Sequence, residues 1–244
     1  MNILIVGATS AIAKATAHRY AANGASFMLL GRNEQALDDL SRDLIVRGAE
    51  SACFHVADFS QAGCLASTEE ALANVCHVDL ALIAHGVLGD QEVFQNDIEA
   101  LNNMLYTNSI STLSILTLIA NCMEKQGHGT IAYISSVAAD RGRASNYAYG
   151  ASKAIINTFL QGMRARLSRV GVNVLTIKLG FVDTPMTASI EKKGFLWAQP
   201  EDIALGIENA VAKRKAVVYL PWFWRFIMRI IMSIPDRIFN KLNI

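Results

Sequence analysis

Cysteine is scarce in this chain, and what there is has no pattern. Cys53, Cys64, Cys76 and Cys122 form no CxxC pair and have no histidine at metal-ligand spacing. A zinc site or a disulfide framework is therefore not expected, and the four read as reduced, structural thiols with no metal implied. A dominant charge is also lacking: 22 basic residues stand against 21 acidic ones, for a net charge of +1. No general field would hold a polyanion, so nucleic acid is not an expected partner. Charged residues are only 18% of the chain while hydrophobic ones are 52%. That balance excludes a disordered chain and points to a large core, an oligomer interface or contact with lipid. The first apolar stretch, residues 3–6, follows Met1 and Asn2 directly and ends at Gly7, without the basic leader of a secretory signal. The expected location is the cytoplasm. Interdomain linkers, internal repeats and low-complexity tracts are missing as well.

What is present is a rhythm. Short apolar runs at residues 3–6, 26–30, 51–56, 80–84, 130–134, 172–179 and 217–220 alternate with longer amphipathic stretches at 11–22, 34–46, 110–125, 149–170 and 201–213. Strands apolar along their whole length need cover on both faces, which a parallel sheet between helices provides. The expectation is an α/β fold: one Rossmann-type, doubly wound parallel sheet of about seven strands over residues 1–220, followed by a tail at 221–244. Pro200 suits the first turn of the helix that follows it.

Gly7, Thr9, Ser10, Ala11 and Ile12 join the first strand to the first helix, where a dinucleotide's pyrophosphate would meet the helix N-terminus. The second strand ends at Leu30 and Gly31, and Arg32 follows where an acidic residue would bind the 2′-hydroxyl of NAD. A guanidinium suits a 2′-phosphate instead, so NADP(H) is expected over NAD(H).

Tyr149 and Lys153 lie one turn apart on a helix and project from one face. A free phenol titrates near 10, and a neighbouring ammonium would be expected to lower it and make Tyr149 usable as an acid/base. Ser136 ends a strand before this helix, and Asn108 falls in an earlier helical region. With the glycine turn at Gly7, Asp58 after the third strand, Asn108 in YTNS, Ser136 in ISSV, Tyr149 and Lys153 in YGASK, and LGFVDTP at 179–185, the chain resembles the short-chain dehydrogenase/reductase family. The motifs stand in the family's order from residue 2 to about 220.

The resemblance implies a hydride-transferring oxidoreductase acting on a carbonyl or alcohol, and it implies roles. Ser136 would hydrogen-bond the substrate oxygen and Tyr149 would give or take the proton. Lys153 would also hold the nicotinamide ribose, and Asn108 would position a proton-relay water. Asp58, with Phe59 beside it, would contact the adenine, while Gly180, Val182 and Thr184 would line the carboxamide and phosphate end. Ala84, His85 and Gly86 complete the cofactor wall. The chain departs from the family pattern at Ala11 and Ala13, which replace two glycines of the turn. It departs again at residues 83–86, where the family has Asn-Asn-Ala-Gly, and at Leu179, where it has proline. His85 could titrate near neutrality, but its slot implies structural support. His18, His55, His77 and His128 show no partner in the sequence.

Residues 222–234 are mostly apolar, interrupted by Arg225, Arg229 and Ser233 at helical spacing. Such a helix has one narrow polar stripe, which Asp236 would extend. At about 1.5 Å per residue it covers about 20 Å, short of the roughly 30 Å hydrocarbon core, so it would lie on a membrane rather than cross it. Trp222, Phe223 and Trp224 suit the headgroup boundary, and Arg225, Arg229, Arg237 and Lys241 suit anionic lipid. A subunit contact in a homo-oligomer, or a flap over the active site, would account for the same pattern. The YLPWFW opening, the basic-apolar tail and the altered glycine turn resemble the branch containing decaprenylphosphoryl-2-keto-ribose reductases, which implies a keto sugar on a polyprenyl phosphate. A soluble reductase of a small ketone or 3-oxoacyl thioester is the alternative, and a non-catalytic nucleotide-binding scaffold is the alternative of another class. Lys192 and Lys193, in the stretch where the family builds its substrate lid, would attract a phosphate or lie in solvent.

Overall fold

The computed structural model describes residues 1–61, 63–188, 190–191 and 194–242; Lys192 and Lys193 lie outside these. The chain begins β1 (Asn2–Val6), α1 (Ala11–Ala21), β2 (Ser26–Gly31), α2 (Glu34–Val46), β3 (Ser51–Val56), α3 (Cys64–Ala73) and β4 (Leu80–Ile83). Two short helices, α4 (Gln91–Asn96) and α5 (Ile98–Leu105), lead through a π-turn at Tyr106–Ile110 into α6 (Ser111–Gln126). Then come β5 (Thr130–Ser136), α7 (Tyr147–Leu167), β6 (Asn173–Leu179), β7 (Phe181–Val182), β8 (Trp197–Ala198), α8 (Pro200–Ala212), β9 (Val217–Leu220), α9 (Trp224–Ser233) and α10 (Asp236–Phe239).

Seven strands form one parallel sheet in the order β3-β2-β1-β4-β5-β6-β9. The apolar runs explain its burial. On β1, Ile3 and Ile5 face a core shared with Leu37 and Leu40 of α2 and Ile203 and Ile207 of α8. Leu4 and Val6 face the opposite core, with Ile115 and Ile119 of α6 and Ile156 and Leu160 of α7. Alternate side chains of one strand thus enter two cores, and a uniformly apolar strand is what that demands. The doubly wound expectation holds.

Helix ends follow local chemistry. Ser10 caps α1 by accepting from the Ala13 N–H at 3.2 Å, and Asn33 caps α2 by accepting from the Ala36 N–H at 3.0 Å. Pro200 occupies the first turn of α8, and Gly127, at φ +79°, ends α6. The winding runs outward from β1 through β2 to β3, then returns to place β4 on the other side of β1. The chain connections therefore diverge between β1 and β4, opening a crevice at the carboxyl ends of these strands.

Candidate active site

A cavity of about 750 Å³ occupies that crevice. Its far end is the turn after β1. Gly7 has φ +82°, and a β-carbon there would come within 2.6 Å of the His85 backbone nitrogen, so only glycine fits. With Ser10 satisfying Ala13, the N–H groups of Ala11 and Ile12 are left at the positive end of α1 on the cavity wall, beside Thr9. Gly86, at φ +149°, brings the end of β4 close to Lys153: a β-carbon there would lie 3.4 Å from Nζ. These two bare stretches of backbone and the free helix end fit a dinucleotide.

Arg32 and Asp58 stand beyond the turn. Arg32 is exposed, forms no salt bridge among the described residues, and still helps hold the Asp58 carboxyl below its usual range. The larger causes of that shift are hydrogen bonds to Asp58 from the backbone N–H and the hydroxyl of Ser60. Phe59 lines the wall and lies 4.5 Å, ring to ring, from His85. Burial, aided by the Lys153 charge, pushes His85 down to about 3, so the ring is neutral at physiological pH. Its Nε2 lies 2.9 Å from the Thr112 hydroxyl, tying the end of β4 to α6. Support rather than proton transfer is its part.

Tyr149 and Lys153 project from the first turns of α7 into the cavity, and Ser136 reaches it from the end of β5. The approach is close because α7 carries Gly150 at the contact: a β-carbon there would come within 2.7 Å of the Ala138 carbonyl. Ser136 caps the turn Val137–Ala139, accepting from the Ala138 N–H at 3.1 Å, and lines the cavity with Tyr149. Lys153 Nζ donates to the Ile134 carbonyl at 3.1 Å and lies 5.9 Å from the centre of the Tyr149 ring. The expected electrostatic effect is corrected here. Burial drives the Tyr149 phenol up to about 12, opposed only by Ser136, and drives the Lys153 ammonium down to about 8. Desolvation of both charged forms outweighs the attraction that their spacing implies.

Asn108 sits behind the wall, fully buried in the π-turn. Its amide accepts from the Val87 N–H and donates to the Val87 carbonyl, each at 2.8 Å, and also donates to the Ser152 hydroxyl at 3.2 Å. It therefore clamps the strand end that carries Gly86. Gly180, Val182 and Thr184 lie on the opposite wall, where Thr184 and Thr187 cap each other around the turn after β7.

Sequence reasoning gave Arg143 no role and set Trp224 at a headgroup boundary, which its burial corrects: both lie at the cavity. Trp224, from α9, is buried against Gly180 so closely that a β-carbon on that glycine would meet the indole at 1.9 Å. Arg143, from the loop between β5 and α7, is buried and donates to the Met228 sulfur at 3.2 Å. Neither has a local motif; they meet only because the tail folds back. Arg141 holds it there, donating to the Ile231 and Ile234 carbonyls and to the Asp236 carboxylate, with its guanidinium 3.8 Å from the Phe239 ring centre. The remaining histidines do have partners: His18 lies 2.8 Å from Asp43, His55 lies 3.8 Å from Glu70, and His77 and His128 lie 3.5 and 3.7 Å from Asp79. For His18, His55 and His128 the partner is distant in sequence, so only the folded chain reveals it.

A doubly wound sheet whose crevice joins a glycine turn at a helix N-terminus to a serine, a tyrosine and a lysine defines an oxidoreductase of the short-chain type. The short chain dehydrogenase family model matches residues 1–194, and the chain belongs to that family. It is 31% identical to an uncharacterized oxidoreductase of Mycobacterium tuberculosis, over 98% of this chain and 96% of that one. An uncharacterized oxidoreductase of Streptomyces coelicolor is 30% identical, over 99% and 95% of the two chains. Among solved structures, a short-chain dehydrogenase from Sphingobium yanoikuyae in complex with NADPH superposes with a TM-score of 0.84 at 21% identity, over 96% of each chain. A Shigella flexneri short chain dehydrogenase complexed with NADP gives 0.80 at 23% identity, over 89% of this chain and 95% of that one.

Proposed function

We propose that this enzyme is an NADPH-dependent carbonyl reductase in which Tyr149 is the proton donor. The observation that carries the reading is the convergence of Tyr149, Ser136 and Lys153 on a single cavity whose far end is the helix terminus of α1. The dinucleotide, when bound, supplies the hydride. A carbonyl oxygen beside Ser136 would accept its hydroxyl hydrogen bond while Tyr149 passes it the phenolic proton. With its phenol near 12, Tyr149 enters the reaction protonated at neutral pH, as a reduction requires. A charged Lys153 would stabilise the phenolate left behind. Arg32, exposed at the adenosine end and without a salt-bridge partner among the described residues, favours a 2′-phosphate, and hence NADPH over NADH.

Tyr149→Phe should lower kcat by about 10²–10⁴-fold and leave NADPH binding unchanged. Unaltered turnover would remove Tyr149 from the mechanism, and equal dissociation constants for NADPH and NADH would remove the role given to Arg32.

For the substrate we favour a keto sugar carried on a polyprenyl phosphate over a small soluble ketone or thioester. The tail supports this choice. Phe226 and Ile230 are exposed on the outer side of α9, with Trp222 exposed just before it and Arg225 and Arg229 among them, a combination that suits an anionic membrane surface. None of the helices among the described residues is long and apolar enough to cross a bilayer. Residues 221–244 would then serve as a peripheral contact at the cytoplasmic face. Ile155 and Phe159 are exposed one turn apart on α7 and offer a separate face for a second copy of the chain.

A further inference from the structure

Arg143 has more charge than its surroundings account for. It lines the catalytic cavity with Ser136, Tyr149 and Trp224, is only 9% exposed, and its Nε has no partner among the described residues. The soft Met228 sulfur is the acceptor it does have. The nearby carboxylate, Asp140, is committed elsewhere: one oxygen accepts from Lys178 Nζ and the other from the Tyr219 hydroxyl at 2.8 Å. Its field only partly offsets the burial that lowers the guanidinium. A guanidinium does not give up its proton in a protein, so a cation remains in the cavity wall. An uncompensated buried charge is strongly unfavourable unless a counter-charge meets it. Asn146, whose side-chain oxygen is also buried and has no partner among the described residues, lines the same cavity, and a half-turn of its amide would present N–H donors instead.

We propose that Arg143 is the recognition point for an oxyanion, a carboxylate or a phosphate, carried by the carbonyl substrate. The planar fork matches either group through paired charge-assisted hydrogen bonds. This deepens the reductase reading and rests on it for the word substrate. The site would act on substrate choice rather than on the chemical step, and the anion can be borne by a lipid or by a soluble molecule.

The test is calorimetric titration of the NADPH-saturated protein, so that phosphate probes do not enter the cofactor site. The probes are farnesyl phosphate, ribose 5-phosphate and levulinate, with farnesol as the neutral control. At least one anion should bind the wild-type protein, about tenfold or more weakly to Arg143→Met, and with a smaller loss to Arg143→Lys, which keeps the charge without the fork. Farnesol binding should be the same in all three. Tighter farnesyl phosphate marks a lipid-borne anion, and tighter ribose 5-phosphate or levulinate marks a soluble one. No anion binding to the wild type, or the same affinity in Arg143→Met, overturns the proposal. Should Arg143→Met not fold, unchanged anion affinity in Arg143→Lys overturns it. The reductase reading fails separately, when no carbonyl compound elicits Tyr149-dependent NADPH oxidation.

Discussion

Among the described residues Lys153 has no carboxylate partner; it is 4% exposed, with a carbonyl and two tyrosine rings around it. Its ammonium releases a proton near 8 in the folded protein, whereas an unfolded chain holds that proton into the ordinary lysine range. Between those limits the unfolded state binds more protons, so wild-type stability rises with pH across the window. The displacement corresponds to roughly 3 kcal/mol of penalty below pH 8, from which the lost hydrogen bond to Ile134 subtracts about 1 kcal/mol on substitution. Lys153→Met should therefore be more stable than wild type by about 2 kcal/mol at pH 7 in the cofactor-free protein, with the advantage shrinking toward pH 10, and inactive throughout. Urea unfolding at both pH values checks this; a variant less stable at pH 7 would show that the ammonium is not the burden described. The spacing of Tyr149 and Lys153 made their pairing legible in the sequence. It did not reveal which electrostatic effect wins, because burial belongs to the folded neighbourhood and not to the spacing.

At the level of elements, the inner sheet strands were readable because each is apolar on both faces, whereas edge strand β3 leaves Ser51, Cys53 and Val56 exposed. Their ends moved by a residue or two: the run at 80–84 stops at Ile83, where Gly86 shortly redirects the chain, and the run at 130–134 continues to Ser136. Helix α3 left little signal, since it buries only Cys64, Thr68 and Ala71, too small to mark a stripe. Helices α4 and α5 are short, and β7 and β8 pair through only two residues each. The tail helix was legible as an amphipathic element, with a flap over the active site among its readings, but what seats it was not, because Arg141 lies some 90 residues away from Ile231. Arg141→Ala should release the carbonyls at the end of α9 and lower stability by about 2 kcal/mol. Hydrogen exchange should rise selectively across α9 and α10, and kcat/KM should fall with the displacement of Trp224. Unchanged exchange there would mean that apolar packing alone seats the tail.

For the molecule as a whole, chemistry and tail lie on the same side. The cavity opens at the carboxyl ends of the strands, and α9 lines it through Trp224 while Phe226 and Ile230, with Trp222 just before the helix, face outward. Removing the tail would therefore confound surface binding with damage to the cavity. The informative change is on the outer side alone. Phe226→Glu with Ile230→Glu should abolish recovery with floated anionic vesicles while the reduction of a water-soluble carbonyl stays within about twofold, since exposed substitutions of this kind perturb stability little. Equal flotation of both proteins would end the membrane reading and leave the exposed strip to a second subunit.

The seat of the indole on Gly180 also limits how this protein can be engineered or inherited in pieces. A stop codon at Trp222 would not yield a soluble working enzyme, because the lost segment supplies part of the reaction chamber itself. The outer strip is to be altered by repainting it with polar residues while every residue that faces inward is kept.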